Sequence, residues 1–273
     1  MKRIFIIITS VALLSGCSIY RNYERPADIV PDNLYRDMEI RTDSTDGFGT
    51  QPWSEVFTSP ILQELISKGL KNNTDLRIAR LRIEQVEATF TASRMAFLPT
   101  FSLAPQGTIS SFDGSQTSKT YSLPLAASWQ VDLFGRLRNA KQRAKMLVES
   151  SEAYRQAVQT QLIATIAREY YRLALLREQL AVSKQTVDVW KENVRAMRVF
   201  MEEGQYTDAA VSQAEANYNS VSASVLELHR QVSESENTLS VLTGDVPHAI
   251  ESGPLDEWQQ VDDYSIGVPL SLL

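Results

Sequence analysis

Cysteine and histidine are nearly missing from these 273 residues, which hold one Cys and two His. No Cys/His metal site can be assembled from that inventory within one chain, and no disulfide framework can exist. Glycine is sparse as well. The 11 glycines stand apart, none in the spacing of a dinucleotide or phosphate loop, so no cofactor is expected. Positive charge is in deficit, 27 Lys+Arg against 33 Asp+Glu for a net −6, which removes the electrostatic footprint of a nucleic-acid binder. No nucleophile, base and orienting group stand out as a set, so an enzyme is the weakest reading. What remains, 43% hydrophobic and 22% charged residues, is the balance of a folded chain.

At the N-terminus, Lys2 and Arg3 precede an uncharged, mostly apolar run from Ile4 to Leu14, then Ser15 and Gly16 before Cys17. This is the layout of a secretory signal, and the run is too short to span a bilayer comfortably. Residues 1–16 are read as a signal peptide. A cleaved signal with an incidental cysteine is the plainer alternative. Leu14-Ser15-Gly16-Cys17, however, resembles the bacterial lipobox, and that resemblance makes Cys17 the lipidated mature terminus, with the non-aspartate Ser18 directing the product to the outer membrane. Several acyl chains on one cysteine hold a protein on a membrane where a single chain would not.

Residues 17–57 carry Pro26, Pro31, Gly47, Gly49 and Pro52 without a sustained period and read as an extended lead segment. Ser59-Pro60 then sets a capping residue before a proline suited to the first helical position, which predicts a helix over 60–71. A second helix is expected over 74–97, where Leu76, Ala79, Ile83, Val86 and Phe90 recur at steps of three and four until Pro99.

The period then falls to two. Large apolar groups occupy most odd positions from Phe101 to Ile109 and again from Tyr121 to Leu133, with small or polar residues between them. This predicts a hairpin of strands 100–111 and 120–133, each near the 9–11 residues of a tilted transmembrane strand, with Phe101, Phe112, Tyr121 and Trp129 as membrane-interface aromatics. One hairpin of a soluble sheet fits the periodicity equally, and Pro105 and Pro124 weigh against a central strand.

From Arg136 to Glu203 there is no Gly or Pro, and heptads run from Leu137 to Val158 and from Leu173 to Met201, joined by steps of four through Leu162, Ile166 and Tyr170. A helix over 136–203 reaches roughly 100 Å and needs partners along its length. Gly204-Gln205-Tyr206-Thr207-Asp208 breaks it, with Thr207 as N-cap, and a return helix over 207–243 carries a three-four seam from Val211 to Leu242 before Gly244. The helix before the strands and the return helix, summed, nearly match the long one. That arithmetic predicts that they stack end to end beside it, with the strand hairpin at one pole and Gly204 at the other. Residues 245–273 read as a linker.

A lipobox, an alternating strand hairpin, a helix near 100 Å and a half-length return helix together resemble one repeat of the TolC-like outer membrane factors, the exit ducts of tripartite efflux and secretion systems. The most telling stretch is Ser128-Trp129-Gln130-Val131-Asp132-Leu133-Phe134-Gly135-Arg136, similar to the family's strand-to-helix signature, with Gln130 where an acidic residue is common. Asn73-Thr74-Asp75-Leu76, Phe97-Leu98-Pro99, Ala167-Arg168-Glu169-Tyr170-Tyr171 and Leu239-Ser240-Val241-Leu242-Thr243-Gly244 match its lipoprotein branch. The implied fold class is mainly α with a β-hairpin: long antiparallel coiled-coil helices plus two strands of a transmembrane β-barrel, residues 58–244 forming one of two repeats.

The resemblance implies a homotrimer in outer membrane lipid, serving as a passive exit duct for small molecules such as drugs or metal ions. Its partners would be a periplasmic adaptor protein, docking at Gly204, Gln205, Tyr206, Thr207 and Asp208, and an inner-membrane transporter. Gly267-Val268-Pro269-Leu270 resembles the inter-repeat linker, so the chain is read as truncated where a second repeat would begin. Glu202, Glu203 and Asp208 would make the tip anionic, and Asp132 would either line a polar interior or cap the helix after Gly135. A periplasmic adaptor, a structural coiled-coil lipoprotein and a non-functional fragment are the rival readings. The first lacks its flanking lipoyl-type strands here, and the second needs no strands at all.

Overall fold

The computed structural model describes residues 51–111, 114 and 117–253. Cys17, Phe112 and residues 254–273 therefore lie outside the described residues. The elements are α1 (Trp53–Val56), α2 (Pro60–Asn72), α3 (Thr74–Met95), β1 (Thr100–Leu103), β2 (Gln106–Ser110), β3 (Ser118–Ser122), β4 (Leu125–Ser128), α4 (Arg136–Glu202) and α5 (Asp208–Thr243). They divide into two compact units, one of Arg80–Tyr154 and one of the described residues up to Ala79 together with those from Arg155 on.

Three expectations are corrected. The short helix α1 lies within a segment read as extended; its peptide N–H groups at Glu55 and Phe57 donate to the carbonyls of Pro52 and Trp53, both at 2.9 Å. The helix expected to run to 97 ends at Met95, where the 2.9 Å hydrogen bond from the Leu98 N–H to the Met95 carbonyl tightens the last turn ahead of Pro99. The two long strands are four short ones. β1 pairs antiparallel with β4, and β2 with β3. Each ladder stops beside a proline, Pro105 on one arm and Pro124 on the other, because proline has no N–H to give a ladder. β4 ends at Ser128, five residues short of expectation, and Gln130–Phe134 forms the approach to α4.

In the second unit the long seam is real, and its burial is graded. Leu162, Ile166, Tyr170, Leu173, Leu176 and Leu180 are buried where α2 packs as a third helix, bringing in Leu62, Leu65 and Ile66. Val187, Trp190, Val194, Met197 and Met201 continue the same seam but are only half-buried. Close packing fixes the core: a Cβ on Gly69 would stand 2.5 Å from Ile166 Cδ1.

Residue 73 joins the ends of two helices. Its Nδ2 donates to the Leu242 carbonyl at 3.1 Å, and its Oδ1 accepts from the Leu76 N–H at 3.1 Å. One buried Asn therefore satisfies an orphan acceptor at the C-terminus of α5 and an orphan donor at the N-terminus of α3. Gly244, at φ 73°, closes α5, and a Cβ there would stand 3.0 Å from both Cβ and O of Asn72. Reading Asn72-Asn73-Thr74 only as a helix interruption misses this junction.

On the solvent face of α5, the Arg230 guanidinium hydrogen-bonds Glu227 and holds its carboxyl well below the usual range, with Gln231 adding to the effect. Lys68 pairs with Asp245, and Arg177 with Glu236 at 2.7 Å. The second pair is partly shielded from solvent; the first is more open and contributes little.

Candidate functional site

The reversal after α4 is built from backbone hydrogen bonds. The Gly204 N–H donates to the Met201 carbonyl at 2.9 Å and the Gln205 N–H to the Phe200 carbonyl at 2.8 Å, the two bonds of a Schellman motif. Gly204, at φ 78°, supplies the left-handed step with open space around its Cα, so the requirement there is conformational rather than steric. Tyr206 tilts against Phe200 with ring centroids 6.0 Å apart, and the Thr207 hydroxyl accepts from the Ala210 N–H at 3.3 Å to start α5. Asp208 falls in the first turn of α5, where the helix dipole favours negative charge. All five sequence-predicted tip residues are brought together, exposed, with Glu202 and Glu203 beside them. One step back, Arg198 pairs with Glu215 across the two helices.

The strand hairpin belongs to the first unit. The register sets Phe101 opposite Ala127, Leu103 opposite Leu125, Gly107 opposite Tyr121 and Ile109 opposite Lys119. In each ladder the odd-numbered side chains share one face and the even-numbered ones, mostly Ser, Thr, Ala and Gln, share the other. Both faces are exposed along every strand. Of the predicted aromatics, Phe101 is 70%, Tyr121 77% and Trp129 65% exposed. Phe101 and the strand end near Trp129 lie at one level of the hairpin. Tyr121 lies toward the other end, where its ring covers Gly107. The Trp129 indole N–H donates to the Phe97 carbonyl at 3.0 Å, tying the end of the strand to the turn after α3.

Of the two roles left open for Asp132, the geometry gives the cap. Its two carboxylate oxygens accept from the N–H groups of Leu137 at 3.1 Å and Arg138 at 2.9 Å. Gly135, at φ 77°, turns the chain into α4, and Arg136 donates to Gln130 Oε1 at 2.8 Å. Gln130, the departure from the family signature, thus serves as a neutral acceptor for the arginine that follows the turn.

A second apolar stripe escaped the sequence reading. Leu175, Val182 and Val189 recur every seven residues on α4, off the main seam, and are 47%, 53% and 68% exposed. Their spacing is the coiled-coil period, so the signal was present but hidden behind the stronger seam. No described helix is long and apolar enough to cross a membrane.

The family model described as outer membrane efflux protein matches residues 65–245. The chain belongs to this family. A second model, the prokaryotic membrane lipoprotein lipid attachment site, matches residues 1–18. Together the two matches place it as a lipid-anchored outer membrane protein that extends into the periplasm. It is 25% identical over 240 residues to the probable outer membrane lipoprotein SilC of Salmonella typhimurium, covering 87% of this chain and 52% of that protein. To the probable efflux pump outer membrane protein TtgC of Pseudomonas putida it is 28% identical over 283 residues, covering 100% and 58%. A crystal structure of CusC, described in terms of folding and transmembrane channel formation, superposes with a TM-score of 0.74 at 24% identity, over 91% of this chain and 56% of that one. The chain spans about half the length of the curated relatives it matches. Those relatives are outer membrane efflux proteins rather than enzymes.

Proposed function

We propose that this chain is a subunit of the outer membrane exit duct of a tripartite efflux or secretion system, passing small molecules without catalysis. One observation carries the reading: a hairpin with an apolar and a polar face, both exposed, runs through a capped junction directly into a 67-residue helix. A strand with unlike faces suits a wall between lipid and water, with the odd face toward lipid and the even face toward the lumen. Phe101, Tyr121 and Trp129 then sit at the membrane interfaces. The stripe of Leu175, Val182 and Val189 supports helical neighbours beyond this chain's own, as in a trimer whose periplasmic helices close a tunnel.

In this reading residues 1–16 are the signal, residues 17–57 a lead segment, residues 58–244 one efflux repeat and residues 245–273 a linker. The relatives' names include toluene and cation efflux, so the cargo stays at the level of small molecules, drugs or metal ions. Gly204, Gln205, Tyr206, Thr207 and Asp208 face a periplasmic adaptor, which in turn engages an inner-membrane transporter. Cysteines placed at Gln205 or Thr207 are expected to crosslink in cells to a periplasmic adaptor. Their failure to do so, with a Cys at the solvent-facing Lys184 crosslinking instead, would overturn the tip assignment.

Cys17 is the acyl acceptor in this account. Mass spectrometry of the membrane-extracted protein is expected to find acyl chains on a peptide beginning at Cys17. An unmodified mature terminus elsewhere, or unchanged fractionation of Cys17→Ala, would contradict it.

A further inference from the structure

Charge is distributed unevenly along this anionic chain. Residues 94–145 hold seven of the 27 Lys+Arg but only two of the 33 Asp+Glu. Five of those cations, Arg136, Arg138, Lys141, Arg143 and Lys145, fall in the first ten residues of α4, and all are exposed. Arg94 lies in the last turn of α3, its guanidinium 6.0 Å from the centroid of the Phe90 ring.

Cations at the start of a helix oppose its dipole, so this placement costs folding energy instead of contributing it. The chain offsets it only in part. Asp132 attracts Arg138, but its two carboxylate oxygens are taken up by backbone N–H groups. Lys145 has Glu149 at 3.5 Å, and among the described residues Arg138, Lys141 and Arg143 form no salt bridge. At 100° per residue Arg138, Lys141 and Lys145 fall within about 60° of one another and about 10 Å along the axis. They stand beside the seam of Leu137 and Ala144, not on it. Immediately before them come Trp129, Val131, Leu133 and Phe134, all more than half exposed and apolar.

We propose that Arg138, Lys141 and Lys145 form a cationic collar that binds anionic phospholipid headgroups in the periplasm-facing leaflet of the outer membrane, a reading that rests on the hairpin crossing that membrane. The order along the chain is what fits this partner. An indole and apolar side chains that suit acyl chains give way within a few residues to exposed cations, of which Lys145 has only the open pair with Glu149. Headgroup layers are several ångströms thick and the Debye length is about 8 Å, so all three charges lie within reach of one anionic surface. Anionic lipid would thereby offset the unfavourable placement at the dipole, and would fix the depth at which strand gives way to helix.

The test uses the full chain, reconstituted from detergent into phosphatidylcholine vesicles with or without a minor fraction of phosphatidylglycerol, at low salt. Each cation near such a surface is worth roughly fivefold in partitioning, so the three together predict a preference on the order of 100-fold for the anionic vesicles. The triple change Arg138→Gln, Lys141→Gln and Lys145→Gln should abolish it. The charge-preserving triple Arg138→Lys, Lys141→Arg and Lys145→Arg should keep it, as should neutralisation of Lys184, Lys191 and Arg195 far along α4. Removing cations from a helix start does not weaken the helix, so loss of folding does not mimic the expected result.

No preference in the wild type, a preference surviving the collar triple, or equal loss in the distal triple would overturn the proposal. Quenching of tryptophan emission by brominated acyl chains, abolished by Trp129→Phe, reads the hairpin's insertion separately. Quenching without lipid preference sinks the collar alone; absence of quenching sinks the membrane reading and the collar with it.

Discussion

Tyr170→Ala is expected to destabilise the helical unit by about 3–5 kcal/mol, the range for truncating a large buried aromatic side chain. Tyr170 is among the largest fully buried side chains and stacks edge-on to Tyr171 with centroids 5.5 Å apart. Its hydroxyl lies 3.0 Å from Ser59 Oγ and accepts from the Gly253 N–H at 3.1 Å. One side chain therefore fills the core, meets the cap of α2 and holds the segment after α5 against α4, where Ile250 is buried too. Tyr170→Phe keeps the ring and leaves the Gly253 N–H without its partner, at about 1–3 kcal/mol. Urea unfolding of the solubilised chain, followed by helical circular dichroism, should rank wild type above Tyr170→Phe above Tyr170→Ala. Equal stability of the two variants would show that the hydroxyl, rather than the packed ring, carries the effect.

The purified 273-residue chain, alone in a planar bilayer, is expected to give no stable conductance. Its hairpin offers two arms, each interrupted at a proline, so three such hairpins supply about six wall-crossing arms, fewer than the eight strands of the smallest usual membrane barrels. Open strand edges in lipid leave backbone groups unpaired at several kcal/mol each. The exposed stripe on α4 likewise awaits a neighbour. Conductance is expected once further strands complete the wall, from a second repeat or from additional chains. Stable, uniform steps from this chain without added protein would overturn this expectation and favour an assembly of six single repeats.

Much of this architecture was legible in the residues because long helices declare themselves by period. The seams, the Ser59-Pro60 start and the glycine stops at Gly204 and Gly244 all follow from local rules, and they are what the helices use. The strands were legible in parity but not in extent. In sequence Pro105 and Pro124 weigh only against a central strand, yet the ladders break beside them. What stayed hidden depends on contacts between distant residues. Asn73 reaches Leu242 across 169 positions and Tyr170 reaches Ser59 across 111, and neither pairing leaves a mark in sequence spacing. Burial was hidden for the same reason: the longest run of covered seam residues on α4, Leu162 to Leu180, lies where α2 packs as a third helix, which periodicity on one helix does not report. The tip showed the reverse case, since a glycine, a threonine cap and an acid at a helix start are chemistry within one turn.

The central claim is that the strand hairpin crosses the outer membrane while the α4–α5 turn hangs in the periplasm. Labelling of intact cells with a membrane-impermeant maleimide tests it most directly, using one cysteine at Ser115 in the hairpin loop and, in a second strain, one at Gln205. Ser115→Cys should label in intact cells, and Gln205→Cys only after the outer membrane is permeabilised. Labelling of Gln205→Cys in intact cells with Ser115→Cys protected would contradict the account.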